Sequence, residues 1–162
     1  AHAAGVDFLR QYCQVAPIPG DIVVTTNGGA PLDQNLYQCV KGLTAAEATV
    51  NPGGTILLCA EMADGLGGEQ FYRDMVDCES PEQLFGQFSA TAQNDTVADQ
   101  WQTQILCRVL KEHRVIWVTR PGMEQFIKDM KMEYAPDLDT ALDMAGAGSL
   151  TVIPDGVSVC IC

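Results

Sequence analysis

The chain has 162 residues, with nine Lys plus Arg against 21 Asp plus Glu, a net charge of −12 and an isoelectric point near 4.3. That balance excludes nucleic acid and anionic membrane surfaces, which select clustered Lys and Arg. No apolar run nears the roughly 20 residues a membrane-spanning helix needs, and no secretory signal pattern opens the chain, so a soluble protein with no membrane partner is expected.

In chain order, Val6–Val15 reads as a helix that either packs on this domain or leads in from a missing one. Asp21–Thr26 (DIVVTT) reads as a strand. A glycine turn follows, then a helix over Asn35–Val50 with Leu36, Cys39, Val40 and Leu43 at i, i+3, i+4 and i+7 as its core stripe. This spacing puts Gln34, Gln38 and Lys41 on the opposite face. Thr55–Ala60 (TILLCA) is a second strand, and Gly67–Gln93 is helical in pieces broken near Ser80 and Pro81. Asp95–His113 reads as a helix capped by Asn94 or Asp95, with Val97, Trp101, Ile105 and Val109 at four-residue steps. Arg114–Thr119 (RVIWVT) is a third strand. Gly122–Met132 and Asp137–Ala145 are helices with Pro121 and Pro136 near their starts. Leu150–Ile153 is a fourth strand, and Val157–Cys162 adds a short one whose partner is not readable.

The four main strand runs are apolar throughout rather than alternating, and helices lie between them. The expected fold is therefore α/β: a mostly parallel sheet of about four to five strands with helices on both faces. Without a linker, repeat or low-complexity stretch, residues 1–162 read as a single domain. The chain lacks an initiator Met, which suggests a piece of something longer.

Lys41 is the only basic residue between Arg10 and Arg73, so it is a candidate anion contact rather than part of a basic patch. Loops Asn27–Gln34 and Asp64–Glu69 and the pair Arg120–Pro121 leave the carboxyl ends of strands, where ligands gather in open parallel sheets. Glycines in the two loops would let backbone N–H groups approach an anion near a helix start, though neither loop matches a nucleotide fingerprint and a plain turn is the commoner account. No metal site is expected: the histidines are His2 and His113, and neither CxxC nor HExxH occurs. Cys160 and Cys162 could meet a soft metal only with further ligands. His113 reads as a helix C-terminal cation, and no nucleophile elbow accompanies it. Trp101, on its stripe, reads as core by spacing alone. Seven cysteines, odd in number and mostly within apolar segments, suit buried thiols in a reducing compartment, with cytoplasm the default.

The block NGGAPLDQNLYQCVKGLTAAEATV resembles the carboxyl-terminal domain of the nickel-dependent lactate racemase family, and GGTILLCAEMADGLGGEQFY and DQWQTQIL extend the likeness over most of the chain. The resemblance implies a two-domain parent that interconverts the stereoisomers of a small 2-hydroxy acid by hydride abstraction and return. Its cofactor would be a nickel pincer nucleotide. The family's amino-terminal domain supplies the cofactor-bearing lysine, the nickel-binding histidine and two acid–base histidines, and this chain has no such set. The implied role is a substrate-side domain, partnered by the amino-terminal domain of its own parent, inactive alone and with no cofactor of its own. By position, Gln38 and Lys41 match the QxxK of the family's helix, whose side chains reach substrate or cofactor, and Trp101 matches a tryptophan of the interdomain cleft. Lys41 would hold a carboxylate and Gln38 would orient it. Tyr37 neighbours both and is assigned no role. The alternative is a noncatalytic α/β ligand-binding or assembly module that keeps the family fold.

Overall fold

In the computed structural model, which describes residues 1–162, the chain opens on α1 (His2–Cys13) and a two-residue strand β1 (Gln14–Val15) before entering the main sheet with β2 (Gly20–Thr26). There follow α2 (Leu36–Glu47), β3 (Val50–Cys59), α3 (Glu69–Asp77), α4 (Pro81–Ala90), a 3-10 turn at Gln93–Asp95 and α5 (Gln100–Glu112). The last third holds β4 (Arg114–Val118), α6 (Glu124–Asp129), β5 (Glu133–Ala135), α7 (Leu138–Ala145), β6 (Leu150–Ile153) and β7 (Cys160–Ile161).

Five strands form the sheet in the order β5-β4-β3-β2-β6, every neighbouring pair parallel. The α/β architecture and the four main strands agree with expectation. The chain steps outward from β2 to β5 and then returns to place β6 on the far side of β2, so the strand order reverses between β2 and β6. Ligands of open parallel sheets sit at such a crevice. Here the chain's own groups close it: the Thr26 hydroxyl donates to Pro154 O at 2.7 Å and the Gly156 N–H to Thr26 O at 3.1 Å.

Helices cover the two faces unequally. On one face Val23, Ile56, Leu58, Val115 and Trp117 join residues of α2 through α6 in the main core. On the other, Val24, Leu57, Ile116 and Val118 meet Ala141 of α7, the only helix there. β6 shows the consequence, since Leu150 and Val152 are exposed while Ile153 is buried. The predicted stripe of α2 is fully buried at Leu36, Cys39, Val40 and Leu43, and each such aliphatic side chain contributes about 2 kcal/mol relative to leaving it in water.

Several expectations are corrected. The predicted helix over Asn35–Val50 ends at Glu47, and Val50 opens β3. The helix over Asp95–His113 starts only at Gln100, and Gln93–Asp95 is a separate 3-10 turn. The stripe read on it holds only in its second half: Val109 is buried and Ile105 packs on the core, whereas Val97, outside the helix, and Trp101 are 55% and 50% exposed. The inner face is completed by Gln100, Gln102, Thr103, Leu106 and Cys107. Its three buried polar residues, Gln100, Gln102 and Thr103, disguised it. The predicted helix Gly122–Met132 is shorter, and β5 follows it unforeseen. Its three residues are pinned at the sheet edge by Arg114, whose Nε and Nη2 donate to Glu133 at 2.5 and 2.7 Å. The terminal strand is only Cys160–Ile161, and it pairs in parallel with β1 rather than with the main sheet. The opening helix forms, from His2 to Cys13, yet buries none of its residues.

The thiols fall into classes. Cys39 and Cys107 are buried, and burial pushes each up to about 12. Cys160 and Cys162 are exposed, so the reading of mostly buried thiols holds only in part. Brief alkylation followed by mass spectrometry is expected to label Cys160 and Cys162 and to spare Cys39 and Cys107 until denaturant is added.

Gly42 lies inside α2, where helix propensity alone favours Ala by about 1 kcal/mol. A Cβ there would stand 2.8 Å from Thr26 O and 3.2 Å from Asn27 Oδ1. Gly42→Ala is therefore expected to destabilise the fold by about 1–3 kcal/mol, read as a lower urea midpoint by far-ultraviolet circular dichroism.

Candidate functional site

The site is built on the first two turns of α2, and a buried asparagine seats them. Asn27, 1% exposed, follows β2 directly. Its Oδ1 accepts the Gly42 N–H at 2.9 Å and its Nδ2 donates to Leu32 O. That places Lys41, beside Gly42, at the carboxyl end of β2, as the sequence suggested.

The N-terminus of α2 is fully satisfied from within the chain. Leu36 N–H donates to Gly65 O at 2.9 Å, Tyr37 N–H to Leu66 O at 3.0 Å, and Gln38 N–H to the N-cap Asn35 Oδ1 at 2.9 Å. These donors are no longer free for a ligand, and through them the two glycine loops pack on each other. Gly67 shows why glycine is needed: its φ is +78° and a Cβ would fall 2.3 Å from the Asn35 side chain. Asp33 completes the join, its Oδ2 accepting the Glu61 N–H at 3.1 Å and its carbonyl the Met62 N–H at 3.1 Å.

Outward from this seat, Lys41 is exposed and Gln38 half-buried, and the Lys41 ammonium donates to Gln38 Oε1. Lys41 takes part in none of the ion pairs of the molecule. It is a cation without a carboxylate partner in an acidic protein, which leaves it available to an anion.

α5 runs beside α2, joined to it by a bidentate contact in which Arg108 Nε and Nη2 donate to Glu47 at 2.8 and 2.6 Å. At its other end Trp101 lies edge-on to Tyr37, the ring centroids 6.2 Å apart. All three residues named from the sequence thus gather where α2 and α5 begin: Gln38 and Lys41 in direct contact, Trp101 through Tyr37. Trp101 is half exposed, so the core reading from spacing is wrong and the cleft position implied by the resemblance is open to it.

Sequence reasoning passed over the polar residues that hold this corner. Tyr37 Oη donates to Asp99 Oδ1 at 2.8 Å, and burial first, then Asp99, pushes the phenol up to about 12. Gln102, fully buried, donates to the backbone Tyr37 O, and its Oε1 has no partner. The only signal for Gln102 was its place one turn before Leu106, which an apolar pattern discards. His113 terminates α5, its N–H donating to Val109 O at 2.9 Å and its Nδ1 buried without a partner. No three His, Cys, Asp or Glu side chains stand together so as to hold a metal ion. The one cavity, about 220 Å³, lies between β1, β6 and β7 under Val15, Ile18, Val152 and Val159 and touches none of the site residues.

A family model for the lactate racemase C-terminal domain matches residues 15–161. Lactate racemases of Thermoanaerobacterium thermosaccharolyticum and Lactiplantibacillus plantarum are each 45% identical over 166 residues, covering 99% of this chain and 39% of their own. The solved lactate racemase apoprotein of the former organism superposes with a TM-score of 0.95 at 44% identity, over 99% of this chain and 40% of that one. The chain thus spans about two fifths of the length of the relatives it matches. With a family model over residues 15–161 and relatives 45% identical across nearly the whole chain, it belongs to the lactate racemase family as a C-terminal domain.

Proposed function

We propose that residues 1–162 form the substrate-side lobe of a two-domain racemase or epimerase of 2-hydroxy acids, an isomerase that is inactive when this lobe stands alone. The observation that carries the reading is the Gln38–Lys41 pair: an ammonium with no carboxylate partner, tied to one amide, on the outward face of α2. In a chain of net charge −12, a local cation suits a small anion and not a polyanion.

Lys41 would bind the substrate carboxylate through a charge-assisted hydrogen bond, and Gln38 would fix its orientation. When the hydroxyl proton is taken, negative charge gathers on that oxygen until hydride leaves and the α-carbon becomes planar, and the same ammonium offsets it. Trp101 would form an apolar wall that excludes water as the lobes close. Tyr37 keeps its proton throughout the neutral range, because its phenol is pushed up to about 12. His113 ends α5 twelve residues beyond Trp101, about 18 Å along the helix. In this reading proton transfer belongs to the amino-terminal domain of the parent, which is also this lobe's partner.

The family resemblance carries with it a nickel pincer nucleotide, which when bound supplies an acceptor and donor of hydride. The donor set of this chain does not fit the nickel, since no three ligating side chains converge; Lys41 and Gln38 fit an anionic group of the substrate or of the nucleotide. Seven free thiols favour a reducing compartment such as the cytoplasm.

The full two-domain parent, produced with its cofactor-maturation partners and nickel, can be assayed by polarimetry on enantiopure 2-hydroxy acids. Lys41→Ala is expected to slow racemisation about 100-fold or more, the scale of a lost oxyanion donor, and Gln38→Ala about tenfold, near one hydrogen bond. Full activity in Lys41→Ala would remove the assignment. A cofactor-loaded parent that turns over no member of a broad panel points instead to a noncatalytic ligand-binding module.

A further inference from the structure

Tyr37 and Asp99 lie 62 residues apart in sequence, and the 2.8 Å hydrogen bond between them joins the first turn of α2 to the residue that begins α5. Asp99 occupies the N-cap position of α5, where an aspartate ordinarily turns its carboxylate onto the free N–H groups of its own helix. It makes no such bond, and its backbone sits at φ 63°, a left-handed conformation disfavoured for any residue with a Cβ. Asp99 thus forgoes its cap and holds a strained backbone while its carboxylate reaches the phenol.

The Tyr37 ring is clamped between two aromatic neighbours, with Phe71 edge-on at 5.6 Å on the core side and Trp101 edge-on at 6.2 Å on the outer side. Its backbone carbonyl takes the Gln102 amide. Gln38 follows Tyr37 directly and Lys41 is one turn further, while Trp101 is two residues past Asp99. Alongside the Gln102 amide and the distant Arg108–Glu47 pair, this hydrogen bond is the side-chain link between α2 and α5 that lies nearest both the Gln38–Lys41 face and the Trp101 indole.

We propose that Asp99 and Tyr37 are positioning residues, a clasp between α2 and α5 that holds the Trp101 indole beside Gln38 and Lys41. The clasp follows from the geometry alone; its kinetic consequence rests on the racemase-lobe reading. The phenol keeps its proton across the neutral range, so the donor half of the clasp is always present there.

Two tryptophans make a direct test practical, because Trp117 is fully buried and Trp101 half exposed. Acrylamide quenching of the 162-residue chain then reports mainly on Trp101. Asp99→Gly removes the carboxylate while suiting the left-handed backbone, so it breaks the clasp without straining the fold. Tyr37→Phe removes only the hydroxyl, and Asp99→Asn keeps an acceptor in a residue that tolerates this conformation.

Asp99→Gly and Tyr37→Phe are expected to raise the quenching constant about twofold as the edge-on ring contact loosens, with Asp99→Asn close to the unmodified chain. In a Trp101→Phe background the same changes should leave quenching unaltered. In the two-domain parent, Asp99→Gly and Tyr37→Phe are expected to raise KM for the 2-hydroxy acid about fivefold, near one hydrogen bond, with a smaller change in kcat and with Asp99→Asn restoring both. Unchanged quenching in both clasp-breaking variants overturns the proposal. So does an equal rise in the Trp101→Phe background, which would mark general loosening. Altered quenching of Trp101 alongside a parent that racemises nothing upholds the clasp and overturns the racemase reading.

Discussion

The contact on which the rest of the structure depends is the seat of α2 against the carboxyl end of β2. Asn27 accepts from a backbone amide in the middle of that helix, and the missing side chain of Gly42 allows the approach to Thr26 O. Both partners are buried, and a buried amide left unpaired costs about 1–3 kcal/mol, so the seat is close to all-or-none. Everything assigned to function hangs from it. Lys41 stands next to Gly42, Gln38 one turn earlier, and Tyr37 beside Gln38 reaches across to α5.

Satisfying the helix start from within the chain has a chemical consequence. With the first N–H groups of α2 donating to Gly65 O, Leu66 O and Asn35, the positive end of the helix is already in use. In the proposed function, anion recognition falls to a side chain, Lys41, which can move and reorient as a backbone amide cannot. The crevice between β2 and β6, where such sheets commonly bind ligands, is occupied by the chain's own hydrogen bonds. A flexible cation on an open surface suits the proposed lobe, whose second wall would belong to another domain, and the chain spans about two fifths of the length of its relatives.

The strands and the inner face of α2 were legible because both are written in apolar side chains at simple periods. Asp137 was equally plain as a helix start and accepts the Thr140 N–H, and the break read near Ser80 is an N-cap that accepts the Gln83 N–H. The phase of α5 was legible only at Ile105 and Val109. Its inner face carries Gln102 and Thr103, buried because Gln102 has a carbonyl to meet on α2, and a hydropathy pattern places such residues outside. β5 was missed for a related reason: three residues carry no period, and the arginine that pins them lies on β4. The pairing of β7 with β1 joins residues at opposite ends of the chain, which no local signal encodes.

For the site, the order of residues was enough to mark Lys41 as a candidate, since one cation in a long uncharged or acidic stretch is visible as such. Helical spacing put Gln34 and Gln38 on its face, from which Gln38 was chosen through likeness to a family. Trp101 could be named only through its likeness to a family, because its spacing argued for the core. What the sequence determined by itself was the α/β class, the main strands and the lone cation of α2, all products of local pattern and short-range geometry. Tertiary structure alone decided that Trp101 faces outward, that Tyr37 and Asp99 meet, and that carbonyls of the second glycine loop satisfy the start of α2. Each of those depends on which distant group satisfies a buried polar atom, and that is settled only when the chain has closed on itself.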